Sequence, residues 1–173
     1  MCLKRLTNLK INSKGFTLVE LIIIIVLIGI FSVAALTRTN LGLNTIQEKI
    51  AIDQITNDID LARSMAFAKH ETITIVFSKN NEGVFNKNYT IYSGEGEDKA
   101  LILDFPNSEN GVVSLDNSKM RSVDIESVDF DDGYELQFIP LGDCALLSDG
   151  FIELNSKIIT IKPITGNWII SDK

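Results

Sequence analysis

An apolar run with one carboxylate inside it constrains this chain more than any other feature. KGFTLVELIIIIVLIGIF covers 14–31, where a basic, polar leader stops and the apolar block 16–36 begins, with Glu20 as its single ionisable side chain. As a helix the 21 residues of that block would extend about 31 Å, enough to span a bilayer. Ile22, Ile23, Ile24 and Ile25 are mediocre helix formers in water. In lipid every backbone group must bond within its own segment, so a helix is nearly forced. One transmembrane helix is expected, and the residue that needs an explanation is Glu20.

A carboxylate at the bilayer centre costs about 2.5 to 3.5 kcal/mol, less near an interface, so such a group usually has a partner or a function. No basic residue follows Glu20 before Arg38. Cleavage between Gly15 and Phe16 would create an α-amine four residues before Glu20, so proteolysis and the carboxylate explain each other.

GFTLVE, behind a short lysine-containing leader and ahead of an apolar helix, resembles the start of type IV pilins and type II secretion pseudopilins. The resemblance implies Gly15 as the last leader residue read by a prepilin peptidase, and Phe16 as the new N-terminus and its N-methylation site. It implies Glu20 as the assembly carboxylate, neutralising the N-terminal amine of a neighbouring subunit as the helix leaves the membrane for a fibre. Opposite charges in a low-dielectric bundle attract strongly only when each satisfies the other, which agrees with that role. The implied partners are the peptidase, other pilins or pseudopilins, an inner-membrane assembly platform and the lipid bilayer.

Two blander readings compete. One is a secretory signal peptide with an h-region at 21–31 and small residues Ser32, Ala34 and Ala35 for cleavage. Against it, a glutamate at the mouth of an h-region is atypical and the helical pattern continues past the cut. The other is a plain single-span anchor with an incidental glutamate.

The leader 1–15 carries Lys4, Arg5, Lys10 and Lys14 and no acid, which favours a cytoplasmic N-terminus and places the remainder outside the cytoplasm; the pilin resemblance implies the periplasmic side of a bacterial cytoplasmic membrane. Losing it makes the mature chain more acidic than the formal −7 of the precursor. Such acidity, without a basic patch, speaks against nucleic acid as a partner. Cys2 would leave with the leader, so Cys144 would stand alone, most simply as a small buried hydrophobe. The 173 residues leave room for one domain beyond the span.

The expected order is a cleaved leader at 1–15, a transmembrane and fibre-core helix at 16–36, an amphipathic continuation at 37–70 and a β-rich periplasmic head at 71–173. In the amphipathic part Ile52, Ile55, Ile59, Ala62 and Ala66 recur at three and four, with Glu48, Asp53, Asn57, Asp58 and Asp60 around them. No proline occurs before Leu103, so one helix from Phe16 to about Lys69 is expected, with Gly29 and Gly42 as its weak points. Many pilins carry a proline where Thr37 sits. LARSMAFAKHETITIVF at 61–77 resembles minor pseudopilins of the GspH/FimT type: a helix ending in A-R-S-M-A, a short polar turn, then a strand. Arg63 falls on another face than Ala62 and Ala66 and is expected solvated or salt-bridged; Lys69 and His70 suit a helix C-terminus.

Period-two patterning predicts strands at 72–78, 89–93, 100–104, 112–115, 123–130, 134–139, 151–154, 157–162 and 167–170, separated by turn signals such as Asn110-Gly111, Asp132-Gly133 and Asp149-Gly150. The fold class is therefore α+β; the resemblance implies the pilin fold, a long N-terminal helix with a transmembrane N-terminal half, packed by its C-terminal half on antiparallel β-sheet. The closing GFIELNSKIITIKPITGNWII resembles the C-terminal hairpins of the same subfamily. The basic motif that some FimT-like proteins place after this glycine is absent, and a DNA-uptake role is not carried over.

The acidic cluster Asp129, Asp131, Asp132 and Glu135 admits a calcium reading and a solvated Asp-Gly hairpin; its spacing is not that of an EF-hand, which favours the hairpin. No nucleophile elbow, phosphate loop, metal motif or dinucleotide fingerprint occurs, and no catalytic residue, metal or cofactor is expected. The expectation is a minor pilin or pseudopilin rather than an enzyme. The alternative is a membrane-anchored adhesive or substrate-binding module at a pilus tip.

Overall fold

The structure, a computed structural model, describes residues 16–173, apart from the side chains of 35–41 and 97. The chain divides into two compact units, Met1–Leu41 and Gly42–Lys173. Helix α1 (Leu18–Lys69) runs through the expected range without interruption at Gly29 or Gly42. Its exposed segment 21–34 belongs to the first unit; the second is the head.

In the head α1 buries the stripe that its periodicity announces. Ala51, Ile52, Ile55, Ile59, Ala62 and Ala66 lie in the core, and the three alanines, each at 0% exposure, let the backbone of the helix approach the sheets closely. Fully burying an isoleucine side chain is worth about 1.5 to 3 kcal/mol, so this stripe is a principal hold of helix on sheet.

The strands are β1 (Ile73–Lys79), β2 (Phe85–Ser93), β3 (Ala100–Leu101), β4 (Ser108–Glu109), β5 (Val112–Ser114), β6 (Ile125–Asp129), β7 (Glu135–Phe138), β8 (Gly150–Leu154), β9 (Lys157–Ile161) and β10 (Trp168–Asp172). They form two antiparallel sheets, β4-β5-β2-β1-β7 with β3 also on β2, and β10-β9-β8-β6. Alternation puts Ile73, Ile75 and Phe77 of β1 into the core, with Ile75 opposite Ile91 and Leu136. Ile152, Leu154, Ile159 and Ile161 do the same for the second sheet. The result is the expected α+β architecture, a helix on antiparallel sheet.

Several expectations need correction. β3 has two residues where 100–104 was expected extended, because the chain turns away before Leu103, which is 63% exposed. β2 starts at Phe85, not Tyr89: Phe85 packs edge-on against Tyr134 under the Lys79 ammonium, which anchors a stretch too polar to read as strand. β4 had no signal beyond the turn beside it. Glu48 and Asp58, placed around the apolar stripe by the sequence, are themselves buried, each meeting a partner far along the chain: Ser156 donates to Glu48 from its N–H at 2.6 Å, and Tyr89 donates to Asp58.

Arg63 is half-buried, with its guanidinium at the solvent-accessible surface, and among the described residues it makes no ion pair. Its Nη1 donates to the Thr165 carbonyl at 3.0 Å and to Asn167 Oδ1 at 3.1 Å, fastening α1 to the β9–β10 turn. His70 closes α1 in a left-handed conformation, φ 55°, the position where a helix ends. Cys144 is buried and pairs with Phe138 of β7 on one side and with Ile164 of the β9–β10 connection on the other, and burial pushes its thiol pKa up.

Candidate functional site

The candidates of the first unit gather where α1 begins. Phe16 and Thr17 precede the helix, and Leu18 is its first residue. Thr17 Oγ1 accepts the Glu20 backbone N–H at 3.2 Å, and the Thr17 carbonyl accepts the Leu21 N–H at 3.2 Å. A helix start leaves its first N–H groups unpaired, and an N-cap hydroxyl satisfies one of them. Thr17-Leu18-Val19-Glu20 has the spacing of a capping box, a hydroxyl residue with an acid three positions on. Thr17 is a helix cap that sequence reasoning missed, and that spacing was its signal.

Glu20 occupies the first turn, where the helix macrodipole favours a negative charge, and its side chain is exposed. Phe16 is 75% exposed at the same end. Gly15, on the leader side of the expected cleavage, lies outside the described residues, as does the whole of 1–15.

Behind the cap, 21–34 is apolar on all sides and exposed, from Ile24 at 41% to Phe31 at 70%. A helix of this kind is stable only when something else covers it, lipid or other helices. Ser32, the one hydroxyl within 21–34, donates to the Ile28 carbonyl at 2.7 Å, so it is satisfied inside the helix. Among the described residues no helix is long and apolar enough to cross a membrane. The expected span, 16–36, runs past Ala34 into residues whose side chains lie outside the description.

A family model described as the prokaryotic N-terminal methylation motif matches residues 10–36, which take in Gly15, Phe16, the Thr17 cap and Glu20. The chain carries that motif. It supports a place in the type IV pilin-like family and a prepilin-type N-terminus. No curated protein and no solved structure matches the chain.

In the head the structure brings Asp129, Asp131 and Asp132 together with Asp149, which sequence reasoning left out, around an open groove of about 370 Å³. Glu135 is not among them; it pairs with Lys99 at 2.5 Å. The turn is centred on Asp131 and Asp132, φ 52° and 67°, between Phe130 and Gly133, rather than on Asp132-Gly133. Aspartate tolerates the left-handed conformation that such a tight turn demands.

Two of these carboxylates are committed to the loops, and Asp149 pairs with Lys162 at 2.5 Å. Asp129 Oδ1 accepts the Asp132 N–H at 2.9 Å, while Asp131 accepts the N–H groups of Leu147 (2.7 Å) and Ser148 (3.1 Å) and the Ser148 hydroxyl at 2.7 Å. The Leu147 bond first, then the Ser148 hydroxyl, hold the Asp131 pKa below the usual carboxylate range. Among the described residues no group of His, Cys, Asp and Glu is arranged to hold a metal ion. A second open groove, about 530 Å³, lies at the end of α1 between Arg63 and Phe67 and the Leu141–Gly142 turn.

Proposed function

We propose that the protein is a minor pilin or pseudopilin of the GspH/FimT type, a structural subunit of a type IV pilus-like or type II secretion pseudopilus fibre. Prepilin peptidase cuts after Gly15 and Phe16 is N-methylated. The apolar helix holds the chain in the cytoplasmic membrane with the head on the periplasmic side, and an assembly platform passes it into the fibre. The chain performs no catalysis in this role.

The observation that carries the reading is the exposed, all-round apolar start of α1, capped by Thr17 and holding one carboxylate, Glu20, in its first turn. In a fibre other helices cover that surface and a neighbour's amine meets the carboxylate. The subfamily assignment draws on A-R-S-M-A at 62–66, where Ala62 and Ala66 at 0% exposure bring the sheets onto the helix just before the turn into β1. The test is incorporation of Glu20→Ala and Glu20→Leu: both are expected to be cleaved normally yet fail to enter the fibre. Normal incorporation of either would remove the pairing role.

A further inference from the structure

The second sheet ends on β10. In an antiparallel ladder successive residues turn their N–H and C=O alternately to the two sides. Lys162 donates its N–H to the Asn167 carbonyl at 2.7 Å and Lys173 donates its N–H to the Ser156 carbonyl at 3.0 Å, so 167, 169, 171 and 173 face β9. Trp168, Ile170 and Asp172 therefore turn theirs to the outer edge, where among the described residues no strand or backbone group meets them. Edge strands are ordinarily blunted by proline, a bulge, extreme shortness, charged side chains or a covering helix or loop. β10 has five residues in unbroken register with β9 and no proline, and it exposes Ile169 and Ile170.

This edge is complementary to itself. When two copies run antiparallel with Ile170 opposite Ile170, Trp168 falls opposite Asp172, and every outward-facing residue meets an outward-facing one. A shift by one residue would set outward groups against inward ones. Charge does not oppose the pairing: Asp172 is held by Lys157, and Lys173 by Glu126, each within its own chain. Beside Ile170 a groove of about 320 Å³ runs between β10 and the Ile52 turn of α1, room for apolar side chains at the seam.

We infer that β10 pairs with the β10 of a second copy of this chain, antiparallel and two-fold about Ile170, joining two four-stranded sheets into one. Such an interface is isologous and small, of the weak, transient class. It does not depend on membership of a fibre.

The fragment 42–173 suits the test, because it contains every strand and the whole hydrophobic core. Sedimentation equilibrium should show a monomer–dimer equilibrium. Ile170→Pro removes an outward N–H without touching the β9 ladder and should weaken association at least tenfold with the circular dichroism unchanged. Independently, Ile170→Cys should form an intermolecular disulfide on mild oxidation, since facing residues of a hydrogen-bonded pair lie about 5.5 Å apart at Cα, within disulfide reach. Ile169→Cys, which would lie opposite Ser171, should not. A fragment that stays monomeric at all concentrations, association unchanged in a folded Ile170→Pro, or equal cross-linking at 169 and 170 would overturn the inference.

Discussion

Tyr89 donates its hydroxyl proton to Asp58 at 2.5 Å inside the core, tying the centre of the first sheet to α1 where both residues are almost fully buried. Gln54 gives the same carboxylate oxygen a second hydrogen bond at 3.1 Å. Burial pushes the Asp58 pKa up and these bonds pull it partly back; burial, then the Asp58 charge, drives the Tyr89 pKa well above its ordinary value.

A raised carboxylate pKa means that the folded head binds a proton at Asp58 more tightly than the unfolded chain does. Head stability should therefore fall as pH rises from 3.8 through the folded pKa and then level off, and Asp58→Asn, which keeps an acceptor for Tyr89, should abolish that slope. Asp58→Ala should cost about 1 to 3 kcal/mol by leaving the Tyr89 hydroxyl unpaired. Urea unfolding of 42–173 across the acid range checks both, and a slope unchanged in Asp58→Asn would contradict the assignment.

Asp131 has the opposite sign, its contribution being present above pH 3.8 and lost as pH falls through its lowered pKa. Asp131→Ala should speed amide hydrogen exchange at Leu147 and Ser148, the groups it holds, while the β8–β9 ladder stays protected. Added calcium should leave the melting temperature of the wild-type head unchanged. A calcium-dependent rise that Asp131→Ala abolishes would restore the metal reading.

The β9–β10 turn contains two left-handed residues of contrasting chemistry. Gly166, φ 63°, leaves no room for a side chain, since a Cβ would stand 2.7 Å from the buried Phe138 ring. Gly166→Ala should destabilise the head by about 1 to 3 kcal/mol. Ile164, also φ 63° and 68% exposed, carries a β-branched side chain there, and Ile164→Asn should stabilise by up to about 1 kcal/mol. Thermal unfolding of the two variants should move in opposite directions.

At the helix start, local capping and charge pairing separate by substitution. Thr17→Ala removes the acceptor of the Glu20 N–H and should fray the first turn, at a cost of about 1 kcal/mol. Glu20→Gln preserves a residue suited to the capping box but removes the charge. If pairing with an amine is what assembly needs, Glu20→Gln should be excluded from fibres as thoroughly as Glu20→Ala; wild-type levels of the glutamine variant would assign Glu20 to the cap.

What could be read in the sequence was local. GFTLVE, the three-and-four spacing of Ile52 to Ala66 and the end of α1 at Lys69 depend on neighbours a few positions away, and the structure follows the last two. Glu48, Asp58 and Arg63 looked like surface residues because their partners, Ser156, Tyr89 and the Thr165–Asn167 turn, lie 31 to 108 positions off and leave no pattern. Asp149 joined the acidic cluster for the same reason. The Thr17 cap was local and still overlooked, since a stronger reading of the same six residues stood in front of it.

The central claim is that proteolysis supplies the amine that Glu20 faces. Mass spectrometry of the protein extracted from its native membrane tests it most directly. The account predicts a chain that has lost 1–15, begins at Phe16 and carries one added methyl group on its N-terminus. A chain that retains the leader, or begins beyond Ala34, would contradict it.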